Sequence, residues 1–267
     1  MRRTSVSQLS KAEVNKYPFV FYGIVLLVFG VTIREFITLT KVQAAAPLTE
    51  NRLQICTEIL PSSFDAAGRS SLFWNKKNIL KVGFLDGSPF LKEQVRKYAV
   101  IWNPCGNIKF EFSDRGPFDI RVSFTPDGRS WSYIGNDAKN LAENEPTMNF
   151  GWFDENTSDV EFRRTILHEF GHALGLIHEH QSPAANIKWN EAVVYNYYWE
   201  KFKWSKDRVR ENIFKRYEAT QTQYTIYDPA SIMHYPIPAE FRTDSTSVAL
   251  NTNLSPMDRA FIHQIYR

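Results

Sequence analysis

Twelve residues, His168-Glu169-Phe170-Gly171-His172-Ala173-Leu174-Gly175-Leu176-Ile177-His178-Glu179, constrain this chain more than any other segment. Side chains four apart stack on one face of a helix, so His168 and His172 present their imidazoles to a common point. Gly175 follows, where a helix ends cheaply by entering the left-handed region. The reversed chain then returns His178 to the same point. Three imidazoles at one locus suit one Zn2+ ion with open coordination, the arrangement of a catalytic rather than a closed structural site. Glu169, beside the first ligand, is placed to reach water on the metal rather than the metal itself, the position of a general base. The chain has six histidines and three of them fall on these positions. A solvated helix face bearing chance histidines is therefore a poor account.

Two further segments extend the pattern. Tyr227-Asp228-Pro229-Ala230 leads into Ser231-Ile232-Met233-His234-Tyr235, and Trp131-Ser132-Tyr133-Ile134-Gly135 lies upstream. Together with H-E-x-x-H-x-x-G-x-x-H these segments resemble the astacin family of metzincin endopeptidases, specifically its small microbial-type members, over about residues 71–267. The resemblance implies an α+β, zincin-like catalytic domain. Its N-terminal twisted sheet and helices, including the zinc helix, would face a helical, loop-rich C-terminal half across an active-site cleft. By the same resemblance Met233 is the hydrophobic floor of a Met-turn, and Tyr235 is a further zinc ligand that swings toward the transition state. Gly175 and Glu179 become structural supports, Glu179 commonly pairing with a new N-terminal amine in mature members. Thr147, Met148, Asn149, Phe150, Gly151 and Trp152 are expected to form a cleft-edge strand that pairs with extended polypeptide substrate, an ordinary interior strand being the alternative.

The activity so implied is zinc-dependent peptide-bond hydrolysis. Glu169 takes a proton from zinc-bound water as it attacks the scissile carbonyl, and Tyr235 hydrogen-bonds the oxyanion. Two other classes stay open, a catalytically silent zincin-fold binding protein and a latent zymogen. Retention of Glu169, all three ligand histidines and Tyr235 argues against the first. For the second, family pro-segments block zinc with an aspartate in F-x-G-D, and Phe64-Asp65-Ala66-Ala67 does not match. Asp65, or Cys56 as a thiolate, are the remaining candidate occupants.

Composition sets the address and excludes little else. A formal charge of +3 is too small to argue for nucleic acid or an acidic surface partner. Oligomeric state is not legible. Arg2, Arg3, Lys11 and Lys16 precede an apolar run from Pro18 to Ile33, which predicts that the N-terminal side stays cytoplasmic. Residues 1–44 thus read as a basic stretch with a signal peptide, cleaved near Val42-Gln43-Ala44, or as a retained membrane anchor. Either way the catalytic domain is expected outside the cytoplasm. Residues 45–70 read as a linker or short pro-segment. Animal astacins carry a cysteine just before W-S-Y-x-G and another near the C-terminus. Here Ser130 takes the first place and no cysteine follows Cys105, so that disulfide does not carry over, and whether Cys56 pairs with Cys105 stays open.

Periodicity supplies the elements. Ile79–Leu85, Ile108–Phe112, Ile120–Phe124 and Thr147–Phe153 read as strands. Ser88-Pro89 opens a helix with Leu91, Val95, Tyr98 and Trp102 inward. Ser158 with Glu161 is a capping box for the zinc helix, which should run to about Leu174. Ser205 caps a helix carrying Val209, Ile213 and Phe214 inward, beyond the aromatic stretch Trp189–Trp204. Ser255-Pro256 opens a closing helix with Met257, Ala260, Phe261 and Ile265 as its inner stripe. Of the other histidines, His180 reads as a support behind the ligands, His234 as a support of the turn, and His263 as packing or surface. Arg242 is a candidate for substrate specificity only.

Overall fold

The computed structural model describes residues 56–59, 72–74, 77–220 and 222–267. The apolar run Pro18–Ile33, and Asp65 in the linker, lie outside the described residues. The chain divides into Met1–Leu53 and Gln54–Arg267, and every described residue belongs to the second unit. No helix among the described residues is long and apolar enough to cross a membrane.

Strand β1 is Thr57–Ile59, β2 Ile79–Phe84, β3 Lys109–Phe112, β4 Ile120–Ser123, β5 Ser130–Tyr133 and β6 Met148–Phe150. They form one sheet in the order β1-β5-β6-β4-β2-β3. β2 and β3 are parallel neighbours, so a crossover must join them. Helix α1 (Pro89–Ala99) provides it, with Ser88 Oγ accepting the Leu91 N–H at 3.3 Å and Pro89 in the first turn. Its Leu91, Val95 and Tyr98 are buried as the spacing predicts. Trp102 is buried too, but on a 3-10 turn, Val100–Cys105, that contains Pro104, whose missing N–H breaks an α-helix.

The cleft-edge expectation for Thr147–Trp152 is corrected. β6 pairs antiparallel with β5 on one side and parallel with β4 on the other. Thr147 is likewise taken on both sides, its N–H by the Arg121 carbonyl and its own carbonyl by the Tyr133 N–H. This is an interior strand, because the W-S-Y segment folds back antiparallel and covers it. Among residues 77–267, β5 is the outermost strand on one side of the sheet and β3 on the other. The free edge of β5 is occupied by β1, which runs parallel to it with Thr57, Glu58 and Ile59 opposite Trp131, Ser132 and Tyr133.

Helix α2 (Asp159–Ala173) crosses the core, and every residue from Arg164 to Ala173 is buried. Ser158 Oγ accepts the Glu161 N–H, but the reciprocal half of the capping box is absent. The Glu161 carboxylate is bound instead to Arg164, Trp152 Nε1 and Thr165. Trp102 Nε1 donates to the Leu167 carbonyl at 3.0 Å, and Phe110 packs edge-on against Phe170 at 4.8 Å. Burying each such side chain stabilises the domain by roughly 1.5–3 kcal/mol, so α2 is held rigidly from several sides.

A second apolar cluster forms from Val194, Tyr198, Trp204, Val209, Ile213, Ile237, Phe241 and Val248. Helix α3 (Glu191–Phe202) contributes the first two. Ser205 caps α4 (Lys206–Val209), a single turn that passes into a π-helical turn, Arg210–Phe214, with Val209 and Ile213 inward. Helix α5 (Pro256–Ile265) has the complete capping box, between Ser255 and Asp258. Its buried residues are Asp258 and Ile262, with Tyr266 buried just past its end, while Ala260 is exposed, so the inner stripe is turned by one position from the expected one. His263 is exposed, as expected for a surface group.

Candidate active site

The turn after α2 builds the site. Leu174 ends the helix, Gly175 adopts φ +98°, and two hydrogen bonds close the turn. The Gly175 N–H donates to the His172 carbonyl at 2.8 Å and the Leu176 N–H to the Gly171 carbonyl at 3.0 Å, a Schellman cap. A Cβ on Gly175 would also stand 2.7 Å from the Phe73 ring. The reversed chain brings His178 beside His172, their Nε2 atoms 3.2 Å apart. One ligand atom from each of His168, His172 and His178 lies within 4.8 Å of the others, and all three rings are buried.

The other ring nitrogens set the tautomers. His168 Nδ1 is 2.8 Å from the Ile232 carbonyl, and His172 Nδ1 is 2.8 Å from the Leu176 carbonyl. Each therefore carries its proton on Nδ1 and leaves the Nε2 lone pair free to ligate. Burial, then the neighbouring His172, holds His168 and His178 well below the ordinary histidine range, so both are neutral at pH 7. His168 Nε2 is a buried polar atom with no protein hydrogen-bond partner. Such an atom calls for an explanation, and a Zn2+ ion held by the three imidazoles would supply one. The residues fit that ion.

Beneath the ligands, Met233 is buried and its Sδ would lie 2.4 Å from a Cβ at Gly171. Gly171 was not singled out from sequence, although its place between the first two ligands was visible. Only a glycine lets the Met-turn approach the helix backbone there. Asp258 fixes the turn from α5, accepting Ser231 Oγ at 2.6 Å and the Ile232 N–H at 2.9 Å. Because the Ile232 carbonyl receives His168, the closing helix orients the first ligand through one residue. His234 supports the same turn, with Nδ1 against the Tyr235 carbonyl and Nε2 accepting from Tyr227 Oη at 2.7 Å.

Glu169 is fully buried next to the ligands. Tyr235 stands against His178, with ring centroids 4.3 Å apart, and lies 6.1 Å from the His168 ring. Both are engaged by residue 56. The Tyr235 hydroxyl donates to the Cys56 carbonyl. The Cys56 thiol is buried against Glu169, and burial followed by that carboxylate pushes it well above the usual thiol range. Cys56 and Cys105 are not joined, and Cys105 packs beside Arg259 instead.

Glu179 turns away from the metal locus. It accepts the Asp228 N–H at 2.8 Å and lines a cavity with Asp228 and Asp258, and burial pushes its carboxyl up to about 8. Arg242 is held by Asp244 in a two-pronged ion pair.

Comparison with known proteins agrees with this geometry. A family model described as Astacin (Peptidase family M12A) matches residues 71–264. Zinc metalloproteinase nas-38 of Caenorhabditis elegans is 25% identical over 192 residues, which are 69% of this chain and 23% of that protein. This chain thus spans about a quarter of the length of that curated relative. A solved structure of myroilysin is 47% identical with a TM-score of 0.71, covering 73% of this chain and 96% of that one. A second, a crystal structure of myroilysin, is 44% identical with a TM-score of 0.61, covering 81% and 92%.

Proposed function

The chain belongs to the astacin family, peptidase family M12A, and on that premise we propose that it is a zinc endopeptidase acting on extended polypeptides outside the cytoplasm. The observation that carries this reading is the convergence of three buried imidazoles with one ligand nitrogen unsatisfied by protein, beside a buried carboxylate. His168, His172 and His178 hold the ion. When bound, zinc would polarise a carbonyl oxygen and lower the pKa of a water to about 7. Glu169 takes the proton from the attacking water and delivers it to the leaving amine. Tyr235 leaves its resting place and donates its hydroxyl to the developing oxyanion, a type of contact worth about 3–4 kcal/mol of barrier. The substrate backbone lies along the outer edge of β5, Ser130–Tyr133, rather than along β6. Main-chain pairing there gives affinity that depends little on side chains.

The basic N-terminus ahead of Pro18–Ile33 supports an extracytoplasmic address, by signal peptide or anchor. Glu179 is read as the receptor for the amine of a trimmed N-terminus, its buried carboxyl facing a cavity that an ammonium group complements. Both are parts of the proposal.

The test is peptide-library cleavage by the zinc-loaded protein, mapped by mass spectrometry. Cleavage should vanish with a chelator and return with zinc. Cleavage that persists after verified metal removal would sink the reading. Tyr235→Phe separates the roles at the metal. It is expected to retain zinc and lower kcat by roughly 10²-fold with KM little changed, since the hydroxyl acts in the transition state. A raised KM at constant kcat would make Tyr235 a substrate-binding group instead.

A second reading concerns the state of the chain. Residue 56 engages both reacting side chains, its thiol at Glu169 and its carbonyl under the Tyr235 hydroxyl, while β1 takes the edge of β5. These contacts occupy the places a scissile peptide would need. We read this arrangement as latent, with Cys56 as a blocking residue.

A further inference from the structure

His180 lies two residues beyond the third ligand and is 2% exposed. Its ring is stacked on Tyr235, with centroids 4.6 Å apart and planes 27° apart. It is also stacked beside His178, at 5.4 Å and 28°. Its Nε2 is 3.0 Å from the Asn212 carbonyl in the π-helical turn Arg210–Phe214. Two neighbouring contacts tie the same stretch to that turn and to the residues just after it. Gln181 Nε2 donates to the Glu211 carbonyl at 2.8 Å, and the Tyr217 N–H donates to the Gln181 carbonyl at 2.9 Å.

We propose that His180 is a positioning residue for Tyr235, its imidazole face forming the seat on which the phenol ring rests and from which it turns. The residue type follows from two demands. A flat ring is needed to stack on the phenol. An N–H is needed to anchor that ring to the Asn212 carbonyl, so that its plane does not rotate when Tyr235 leaves. Phenylalanine meets the first demand only and alanine meets neither. The stack also lets the second core set the geometry of the metal site, because the Arg210–Phe214 turn carries the anchoring carbonyl and buries Ile213 in that core. Displacing a reacting group by about 1 Å costs on the order of 10²-fold in rate, so a loose seat is felt in kcat.

Only the kinetic arm of the test rests on the endopeptidase reading. In metal-free full chain carrying 13C-labelled tyrosine, the Tyr235 ring resonances are assigned by their loss in Tyr235→Phe. In His180→Ala they should move, losing the part of their ring-current shift that the His180 ring supplies, while those of Tyr98 and Tyr266 stay in place. Unmoved Tyr235 resonances would overturn the proposal. Should His180→Ala fail to fold, His180→Phe decides. It is expected to keep zinc and lower kcat about tenfold with KM within about twofold. In a Tyr235→Phe background the same change should add almost nothing, because the group it positions is gone. A full multiplicative loss in that background would make His180 a general structural residue and overturn the assignment. If no form of the chain cleaves peptides, the proposed activity fails and the resonances still decide the positioning role.

Discussion

Glu169→Gln is expected to bind zinc as the parent does, fold with the same stability to within about 1 kcal/mol, and lose roughly 10³-fold or more in kcat. The near-isosteric amide preserves the packing of a fully buried side chain. It cannot accept a proton from water or return one to an amine, and general acid–base catalysis contributes about 10²–10⁴-fold. The ligands should be indifferent. His168 and His172 are oriented by the Ile232 and Leu176 carbonyls, and neither bond involves Glu169. Zinc stoichiometry and single-turnover cleavage of a peptide, measured side by side, check the prediction. Parent-like turnover would remove Glu169 from the chemistry, and loss of zinc would make it a supporting group. The substitution also removes the charge that helps hold the Cys56 thiol high, so that thiol should titrate at lower pH in the variant.

The metal site was legible because its chemistry is written locally. Two ligands one helical turn apart, a glycine that must take φ +98°, and a third ligand just past it all lie within a few residues. The Met-turn added Met233 and Tyr235 by resemblance, and the structure puts Met233 beneath the helix and Tyr235 against His178. The cleft edge was not legible in the same way. β5 and β6 are short, and nothing in a three- or four-residue run states how many neighbours it has. The interior place of β6 depends on β4 and β5 closing on it from either side, which is a non-local fact. The same holds for α5, whose inner stripe is set by Ser231 and Ile232 reaching Asp258 rather than by hydrophobic spacing alone. Glu161 shows the limit from another direction. The capping-box pattern was present, but Arg164 one turn on competes for the carboxylate and wins with a charge-assisted pair at 2.5 Å.

Removing the chain up to about Ser71 is expected to raise peptide cleavage by roughly a thousandfold over the intact protein. A tethered segment acts at an effective concentration on the order of mM. If its intrinsic affinity for the cleft is only about 1 μM, the open fraction is roughly one part in a thousand. On the latent reading that affinity has two parts. Strand β1 supplies main-chain pairing along β5, and residue 56 supplies the contacts to Glu169 and Tyr235. Cys56→Ala removes the thiol but keeps the carbonyl and the strand, so its activation should fall between the intact and trimmed proteins. Initial rates on one peptide for the three forms, with zinc content matched, measure this order directly. An intact chain as fast as the trimmed one would show that β1 and Cys56 yield readily to substrate, and the latent reading would fall. Equal activation by Cys56→Ala and by trimming would assign the whole block to the thiol and none to the strand. The predicted order has a mechanical basis. Tyr235 cannot reach a substrate oxyanion while its hydroxyl is committed to Cys56, and releasing that carbonyl requires the strand beside it to leave.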